Sequence, residues 1–210
     1  MQIQQAQPRT GRWGGARSGA GRKPHHGRAG VPHRPRRRFR GGTLHVTVRV
    51  RREIWSLRGH RCFRALRRSF ARGCERFGFR LIHFSVQGNH AHFIVEAPDA
   101  GSLGRAMKGL EVRMARALNK VMSRKGAVFA DRYTARLLTS TREASYMLQW
   151  VRDNRAVHAL QRQRPVPQGL DPRCSCWWRD HWPPLTAQPR YWLLRAGVEI
   201  HRMRRLRAAA

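Results

Sequence analysis

Acidic residues are scarce in this sequence. Only 11 of its 210 residues are Asp or Glu, against 44 Lys and Arg, which gives a formal net charge of +33. A compact domain gains no stability from that much self-repulsion, so the imbalance predicts a polyanionic partner. Arg outnumbers Lys, and because the planar guanidinium pairs with phosphate oxygens, nucleic acid is the expected partner. A basic organellar or ribosomal protein would show the same imbalance and would also bind nucleic acid.

Long apolar runs and cysteines are scarce as well. No apolar run is long enough to span a membrane, and the basic N-terminus lacks the apolar stretch of a secretory signal, so no membrane partner is expected. Of the four cysteines, Cys62 and Cys74 are predicted core residues of one helix. Cys174 and Cys176 lack the two-residue spacer common in zinc sites. A reducing cytoplasm, in association with the nucleoid, is the expected compartment.

Composition divides the chain into three predicted parts. Residues 1–42 are rich in Gly, Pro and Arg, and are expected to form a disordered basic arm that lies along phosphates. The densest part of this arm is Arg36, Arg37 and Arg38. Residues 43–160 carry the periodic segments and are interpreted as the folded domain. Residues 161–210, rich in Pro, Trp and Arg, are interpreted as a C-terminal extension.

The hydrophobic periodicity of residues 43–160 predicts alternating strands and helices. A strand begins at Thr43, and a helix runs from Phe63 through Phe77, where Gly78 ends it. Two strands follow, over 79–86 and from His90 to about Glu96, and then a helix over 103–121. The last two elements are a strand within 128–138 and a helix that Ser140 or Thr141 caps and that ends near His158. The order β-α-β-β-α-β with an appended C-terminal helix predicts an α+β, ferredoxin-like fold. Its antiparallel sheet is expected to carry helices on one face.

Two histidines in the third strand are candidate metal ligands. Because side chains alternate along a strand, His90 and His92 are expected on one face, with Ala91 and Phe93 turned to the core. Two imidazoles placed in this way can share one metal ion. Taken alone, such a pair is more often a pair of polar surface residues.

The last predicted helix carries a second candidate group. Tyr146, Trp150 and Asn154 follow one another at four-residue steps, so they lie on one stripe of the helix. A helix beside the third strand can hold a tyrosine hydroxyl over the histidines. Tyrosine is a poor nucleophile unless a metal or base acts nearby, and the alternative interpretation of Tyr146 is a half-buried helix residue.

The segment from Val86 to Glu96, read with its neighbours, carries a family resemblance. The string Val-Gln-Gly-Asn-His-Ala-His-Phe-Ile-Val-Glu resembles the HUH motif of the REP-associated tyrosine transposases, relatives of the single-tyrosine, IS200-like transposases. The resemblance extends to Phe129-Ala130-Asp131-Arg132-Tyr133, to Arg142-Glu143, and to Pro189-Arg190-Tyr191-Trp192-Leu193-Leu194, so it spans roughly residues 43 to 205.

This resemblance implies a ferredoxin-like protein, often dimeric, that cuts and rejoins single-stranded DNA next to hairpins. It implies that His90 and His92 hold a divalent cation, Mg or Mn. A tyrosine of the last helix would attack the phosphate, leaving a 5′-phosphotyrosine and a free 3′-OH. No nucleotide cofactor is expected, because transesterification conserves bond energy. Asn154 is the expected third ligand, with Glu96 and Gln149 as alternatives.

The sequence departs from the family pattern at the nucleophile. Counted from Arg142-Glu143, the family's tyrosine position is occupied here by Trp150, whereas Asn154 still matches. Tyr146 lies one helical turn earlier, about 6 Å along the axis, and is the expected catalytic residue; Tyr133 is a second candidate. The alternative function is therefore a catalytically inactive protein that binds repeats or hairpins.

Magnesium prefers oxygen ligands, whereas paired imidazoles suit manganese or zinc better.

Two helix faces are expected to contact DNA phosphates, with a solvated charged face as the alternative interpretation. Salt-dependent and largely sequence-independent affinity is expected from them. The residues are Arg64, Arg67, Arg68 and Arg72 on the first helix, and Arg105, Lys108, Arg113 and Arg116 on the second.

Overall fold

The structure, a computed structural model, describes residues 38–178, 181 and 183–208. The predicted phosphate contacts Arg36 and Arg37 lie outside the described residues, and Arg38 is exposed. Within the described part of the chain, no helix is both long and apolar enough to cross a membrane.

The described residues form a five-stranded antiparallel sheet. Its strands are β1 (Arg40–Arg49), β2 (Glu75–Arg76), β3 (Phe79–Val86), β4 (His90–Asp99) and β5 (Thr134–Leu138). They lie in the order β2-β3-β4-β1-β5. If the short β2 is set aside, this is the strand arrangement of a ferredoxin-like sheet, in which β1 and β4, the two strands that begin the β-α-β units, lie side by side at its centre.

Helices cover both faces of the sheet, so the prediction of helices on one face was wrong. They are α1 (His60–Ala71), α2 (Ala100–Val121), α3 (Thr141–Gln161) and α4 (Val198–Ala208), with a short 3₁₀ turn at Ser175–Trp178 and a π turn at Leu193–Gly197. The main core joins α1 and α2 to the face of β4 that carries Ala91 and Phe93. A smaller core joins α3 to Ile94 on the opposite face. Alternation along β4 therefore sends its odd-numbered side chains to α1 and α2 and its even-numbered side chains toward α3.

The first helix is shorter than predicted. It ends at Ala71, and the residues expected in its last turns form a tight hairpin between β2 and β3 instead. Phe77 and Gly78 occupy this turn with positive φ angles of 55° and 76°, the conformation that a two-residue hairpin turn requires. Phe77 is 59% exposed and Cys74 is half-buried outside the helix, so the helical extension through these two residues was wrong. Their spacing continued the helical period, but the hairpin satisfies the backbone groups locally.

Caps fix the ends of the other helices. Ser140, one of the two predicted caps, accepts a hydrogen bond from the Glu143 backbone N–H at the start of α3. Asp99 caps α2 by accepting from the Ser102 N–H at 2.7 Å, so β4 runs directly into the helix and is longer than the sequence predicted. Both caps satisfy backbone donors that have no partner within the helix.

The chain after α3 returns to the edge of the sheet. The Arg173 carbonyl accepts from the Val86 N–H at 2.9 Å, and the Leu81 carbonyl accepts from the Ala187 N–H at 2.7 Å. Leu185 is buried in the main core. The described residues 171–178 and 183–187 are therefore packed onto the sheet as part of the fold.

Candidate metal centre and nucleic-acid surface

Three histidines meet where β4 begins. His90 and His92 project from β4 toward α3, and His158 projects back from α3. The ligand atoms of the three side chains all lie within 4.8 Å of one another. This group is close enough to hold one metal ion.

Hydrogen bonds set the orientation of each ring. His90 Nδ1 lies 2.8 Å from Asn89 Oδ1, and His158 Nδ1 lies 3.1 Å from Gln161 Oε1. An amide oxygen only accepts, so both rings donate through Nδ1–H and keep the lone pair on Nε2. His92 Nδ1 lies 3.0 Å from the Thr47 hydroxyl, its neighbour across the strands. Partners of this kind fix the tautomer of metal-binding histidines.

Several buried polar atoms at this place have no hydrogen-bond partner. They are Nε2 of His92, Nε2 of His158, and both amide atoms of Asn154, which is fully buried. A buried polar atom without a partner is costly. Because Nε2 of His158 carries the lone pair of its ring and Nε2 of His92 has no other partner, a divalent cation fits the donor set.

The electrostatic surroundings lower the pKa values of His90 and His92. Burial, followed by repulsion from His158, lowers the pKa of His90 to about 4. Burial, followed by repulsion from His90, lowers the pKa of His92 to about 3. Neutral imidazole is the form that binds metal, so these two residues need not lose a proton at neutral pH.

Sequence reasoning did not identify His158. The signal for it was present, since His158 continues the four-residue step of Tyr146, Trp150 and Asn154 along α3. The predicted helix ended near His158, so this residue was treated as a terminus instead of the next member of the stripe.

The alternative third ligands lie elsewhere. The Glu96 carboxylate is fully buried and accepts backbone N–H groups of Arg190 and Tyr191 at 2.6 and 3.1 Å. Gln149 is exposed on another face of α3. Asn154 is fully buried one turn before His158, on the same stripe of α3.

Trp150 is the aromatic residue of α3 that contacts the histidines. Its ring centroid lies 4.5 Å from that of His92 and 5.6 Å from that of His45, in edge-to-face geometry. Tyr146, one turn earlier, is 64% exposed. Tyr133 is buried in the main core on the other face of the sheet, away from the histidine group.

The predicted basic residues of α2 line one shallow surface depression of about 360 Å³. Its lining residues are Arg105, Lys108, Gly109, Val112, Arg113 and Arg116. On α1, Arg64 and Arg68 are exposed and Arg67 is half-buried. Each helix therefore presents a cationic face to solvent.

The fold resembles solved transposase structures. One is a REP-associated tyrosine transposase bound to a REP hairpin, with a TM-score of 0.52 and 16% identity, over 61% of this chain and 74% of that one. Another is a putative transposase from Deinococcus radiodurans R1, with a TM-score of 0.40 and 13% identity, over 56% of this chain and 95% of that one. No curated protein sequence matches.

A family model gives the assignment. The model that describes IS200-like transposases matches residues 40–154, a span that runs from the start of β1 to the buried Asn154 and covers more than half of the chain. This confirms the family resemblance that the residues from Val86 to Glu96 carried. The chain belongs to the IS200-like transposase family.

Proposed function

We propose that this protein cuts and rejoins single-stranded DNA beside hairpins, with a divalent cation at the histidine group and Tyr146 as the nucleophile. The observation that carries the proposal is the convergence of three imidazoles, from β4 and α3, with unpartnered Nε2 atoms on His92 and His158. Of the three tyrosines in the sequence, Tyr146 is the one on the helix that faces this group.

The proposed ligands are His90, His92 and His158, with Asn154 beside them. A bound divalent ion would polarise the scissile phosphate and stabilise the leaving oxygen. Nitrogen donors favour Mn²⁺ over Mg²⁺, so Mn²⁺ is the cation we expect to bind more tightly of the two.

The side chains of α3 have separate tasks in the proposed reaction. The Tyr146 oxygen forms a bond to phosphorus and gives its proton to solvent, to which the side chain is open. The bond from phosphorus to the 3′ oxygen breaks, and that oxygen takes up a proton and leaves as a 3′-OH. The reverse reaction with another 3′-OH rejoins a strand. Because Trp150 lies against His92, the scissile phosphate must bind on the Tyr146 side of the indole.

Electrostatics supports DNA as the substrate. The α2 depression offers Arg105, Lys108, Arg113 and Arg116 along one face, which suits the repeating charge of a strand. The similar structure bound to a REP hairpin supports a hairpin as the preferred form.

A homodimer is part of the proposal, and sedimentation equilibrium with and without hairpin DNA measures it.

A covalent adduct tests the proposed nucleophile. Wild-type protein incubated with a single strand that carries a hairpin and Mn²⁺ should form a protein–DNA adduct that survives denaturing electrophoresis. Tyr146→Phe should abolish the adduct, whereas Tyr133→Phe should retain it. Adduct formation that persists in Tyr146→Phe would refute this role.

A second function, hairpin binding without cleavage, is favoured by one observation. Trp150 fills the position nearest His92, where the family resemblance expects a tyrosine. In this case the wild-type protein binds the hairpin and forms no adduct, and Trp150→Tyr should create one. The pair of variants, Tyr146→Phe and Trp150→Tyr, therefore separates the two functions.

Metal affinity tests the ligand set without any DNA. His158→Ala should weaken Mn²⁺ binding by at least about tenfold in calorimetric titration, because it removes a ligand. His201→Ala, which changes a histidine on α4, is the matched control and should bind as the wild type does. Equal affinity of His158→Ala and wild type would exclude His158 from the site.

A further inference from the structure

We infer that a small cavity between α1 and the chain after α3 binds one phosphate group of a single-stranded DNA. We call it the arginine cavity; its volume is about 120 Å³ and it is lined by His60, Phe63, Arg64, Arg67, Arg173 and Trp178. The inference rests on the proposed DNA-binding function. It places one contact at a discrete site, apart from the histidine group and from the α2 depression.

The cavity is built by long-range contacts. Asp171 accepts two hydrogen bonds from the Arg58 guanidinium, both at 2.8 Å, and this pair fixes the turn that follows. Arg173 and Trp178 are thereby laid over α1. The Arg67 guanidinium lies 3.9 Å from the Trp178 ring centroid, and that of Arg173 lies 4.7 Å from the Phe63 ring centroid.

The cations of the cavity have no anion among its lining residues. None of the described lining side chains is acidic, and Asp171 in the adjoining turn is engaged by Arg58. Arg67 Nε is buried and has no hydrogen-bond partner. Burial first, and then the charges of neighbouring arginines, lower the pKa of both Arg67 and Arg173. An anion in the cavity would offset this repulsion.

The geometry of the rings favours a phosphate over a base. The cavity, of about 120 Å³, has room for a phosphate group. One face of the Trp178 ring and one face of the Phe63 ring are already covered by guanidinium groups, which leaves less room for base stacking. Guanidinium groups pair with phosphate oxygens through two parallel hydrogen bonds.

Binding in the absence of divalent metal tests the cavity separately from catalysis. The probe is a hairpin with a single-stranded flank, in EDTA, and its affinity is measured over a range of salt concentrations. Arg67→Met keeps an unbranched apolar stem beside Trp178 and removes the charge. It should weaken binding about three- to tenfold and lower the salt slope by about one. Arg76→Met, at an exposed residue of β2 outside the cavity and outside both predicted DNA-binding faces, is the matched control and should change affinity less.

Single neutral substitutions in the DNA identify the bound phosphate. Replacing phosphates of the flank one at a time by methylphosphonate should weaken wild-type binding at one position, and that loss should disappear in Arg67→Met. A flank with a 5′-phosphate, compared with a 5′-hydroxyl, distinguishes a terminal phosphate from an internal one. Competition by inorganic phosphate measures how tightly the cavity binds the free anion.

The outcomes distinguish the two proposals. A wild-type protein that does not bind the probe overturns both DNA binding and the cavity. Binding that is equally strong in wild type, Arg67→Met and Arg76→Met, with no methylphosphonate position coupled to Arg67, overturns the cavity and leaves the proposed function intact.

Discussion

At the scale of single residues, two positions of α3 determine what the histidine group can do. His158 brings a third imidazole within 4.8 Å of the ligand atoms of His90 and His92, close enough for the three to hold one ion. Trp150 occupies the neighbouring turn and presents an indole in place of a hydroxyl. In the proposed reaction the ligand set is thus complete while the proposed nucleophile, Tyr146, lies one turn from Trp150, which is why a tyrosine variant at Trp150 is informative.

Glu96 gives a pH-dependent prediction at the residue scale. Burial raises the pKa of this carboxyl above its ordinary value of 4.5, against the lowering effect of the Arg190 and Tyr191 N–H groups. The folded state therefore holds the proton to a higher pH than the unfolded state, and its stability falls as pH rises above 4.5. The side chain at this position cannot titrate in Glu96→Gln, so the free energy of unfolding of this variant relative to wild type should increase with pH. The increase is up to about 1.4 kcal/mol per pH unit between the unfolded-state and folded-state pKa values of Glu96.

Urea unfolding of both proteins from pH 4.5 to 7 measures this difference. Gln retains one acceptor oxygen for the Arg190 and Tyr191 N–H groups, so a constant offset between the two proteins is expected in addition. A difference that does not change with pH, or that changes with the opposite sign, would contradict the raised pKa.

At the scale of secondary-structure elements, hydrogen bonds at the boundaries decide more than periodicity does. The 3–4 spacing of α1 continues to Phe77, yet the helix ends at Ala71 because Phe77 and Gly78 form the β2–β3 turn. At the start of α3, by contrast, the helix begins where the sequence predicted it. Ser140 and Glu143 form a local capping arrangement, in which Glu143 also accepts from the Thr139 N–H at 2.9 Å.

Removing the α3 cap is the prediction at the scale of elements. Ser140→Ala should lower the free energy of unfolding by about 1 kcal/mol, because the Glu143 N–H loses its acceptor. Ser145→Ala, inside the same helix, is the matched control and should be neutral or slightly stabilising, since Ala is the better helix former. Thermal and urea unfolding compare the two variants, and equal effects would show that the cap contributes nothing specific.

At the scale of the whole molecule, the chain after α3 connects the parts of the fold. It pairs with β3 through Arg173 and Ala187, contributes Leu185 to the core, and places its N–H groups on the Glu96 carboxylate. The arginine cavity exists only because this segment lies over α1. Few of these contacts follow from local pattern, since they join positions about 90 to 115 residues apart.

The Arg58–Asp171 pair is the test at this scale. Asp171→Asn should destabilise the protein by about 2–3 kcal/mol, because it weakens a two-bond pair whose carboxylate is buried while Arg58 remains partly in solvent. Asp153→Asn breaks an exposed pair with Arg152 and should cost less than about 1 kcal/mol. Hydrogen exchange at the Val86 N–H, which donates to Arg173, should accelerate in Asp171→Asn alone. Unchanged exchange would show that the pair does not hold the segment.

The sequence by itself determined the order of β1, β3, β4, β5 and of α1 to α3, the shared face of His90 and His92, and the membership of the family. These features depend on local period, charge and a contiguous motif, which residues carry without reference to distant neighbours. Only the tertiary structure decided that His158 joins the two histidines, that Trp150 and not Tyr146 touches His92, and that the chain after α3 closes the arginine cavity. Each of these depends on how α3 and the segment after it pack across the sheet, and packing of distant segments is set by long-range contacts that a local pattern does not encode.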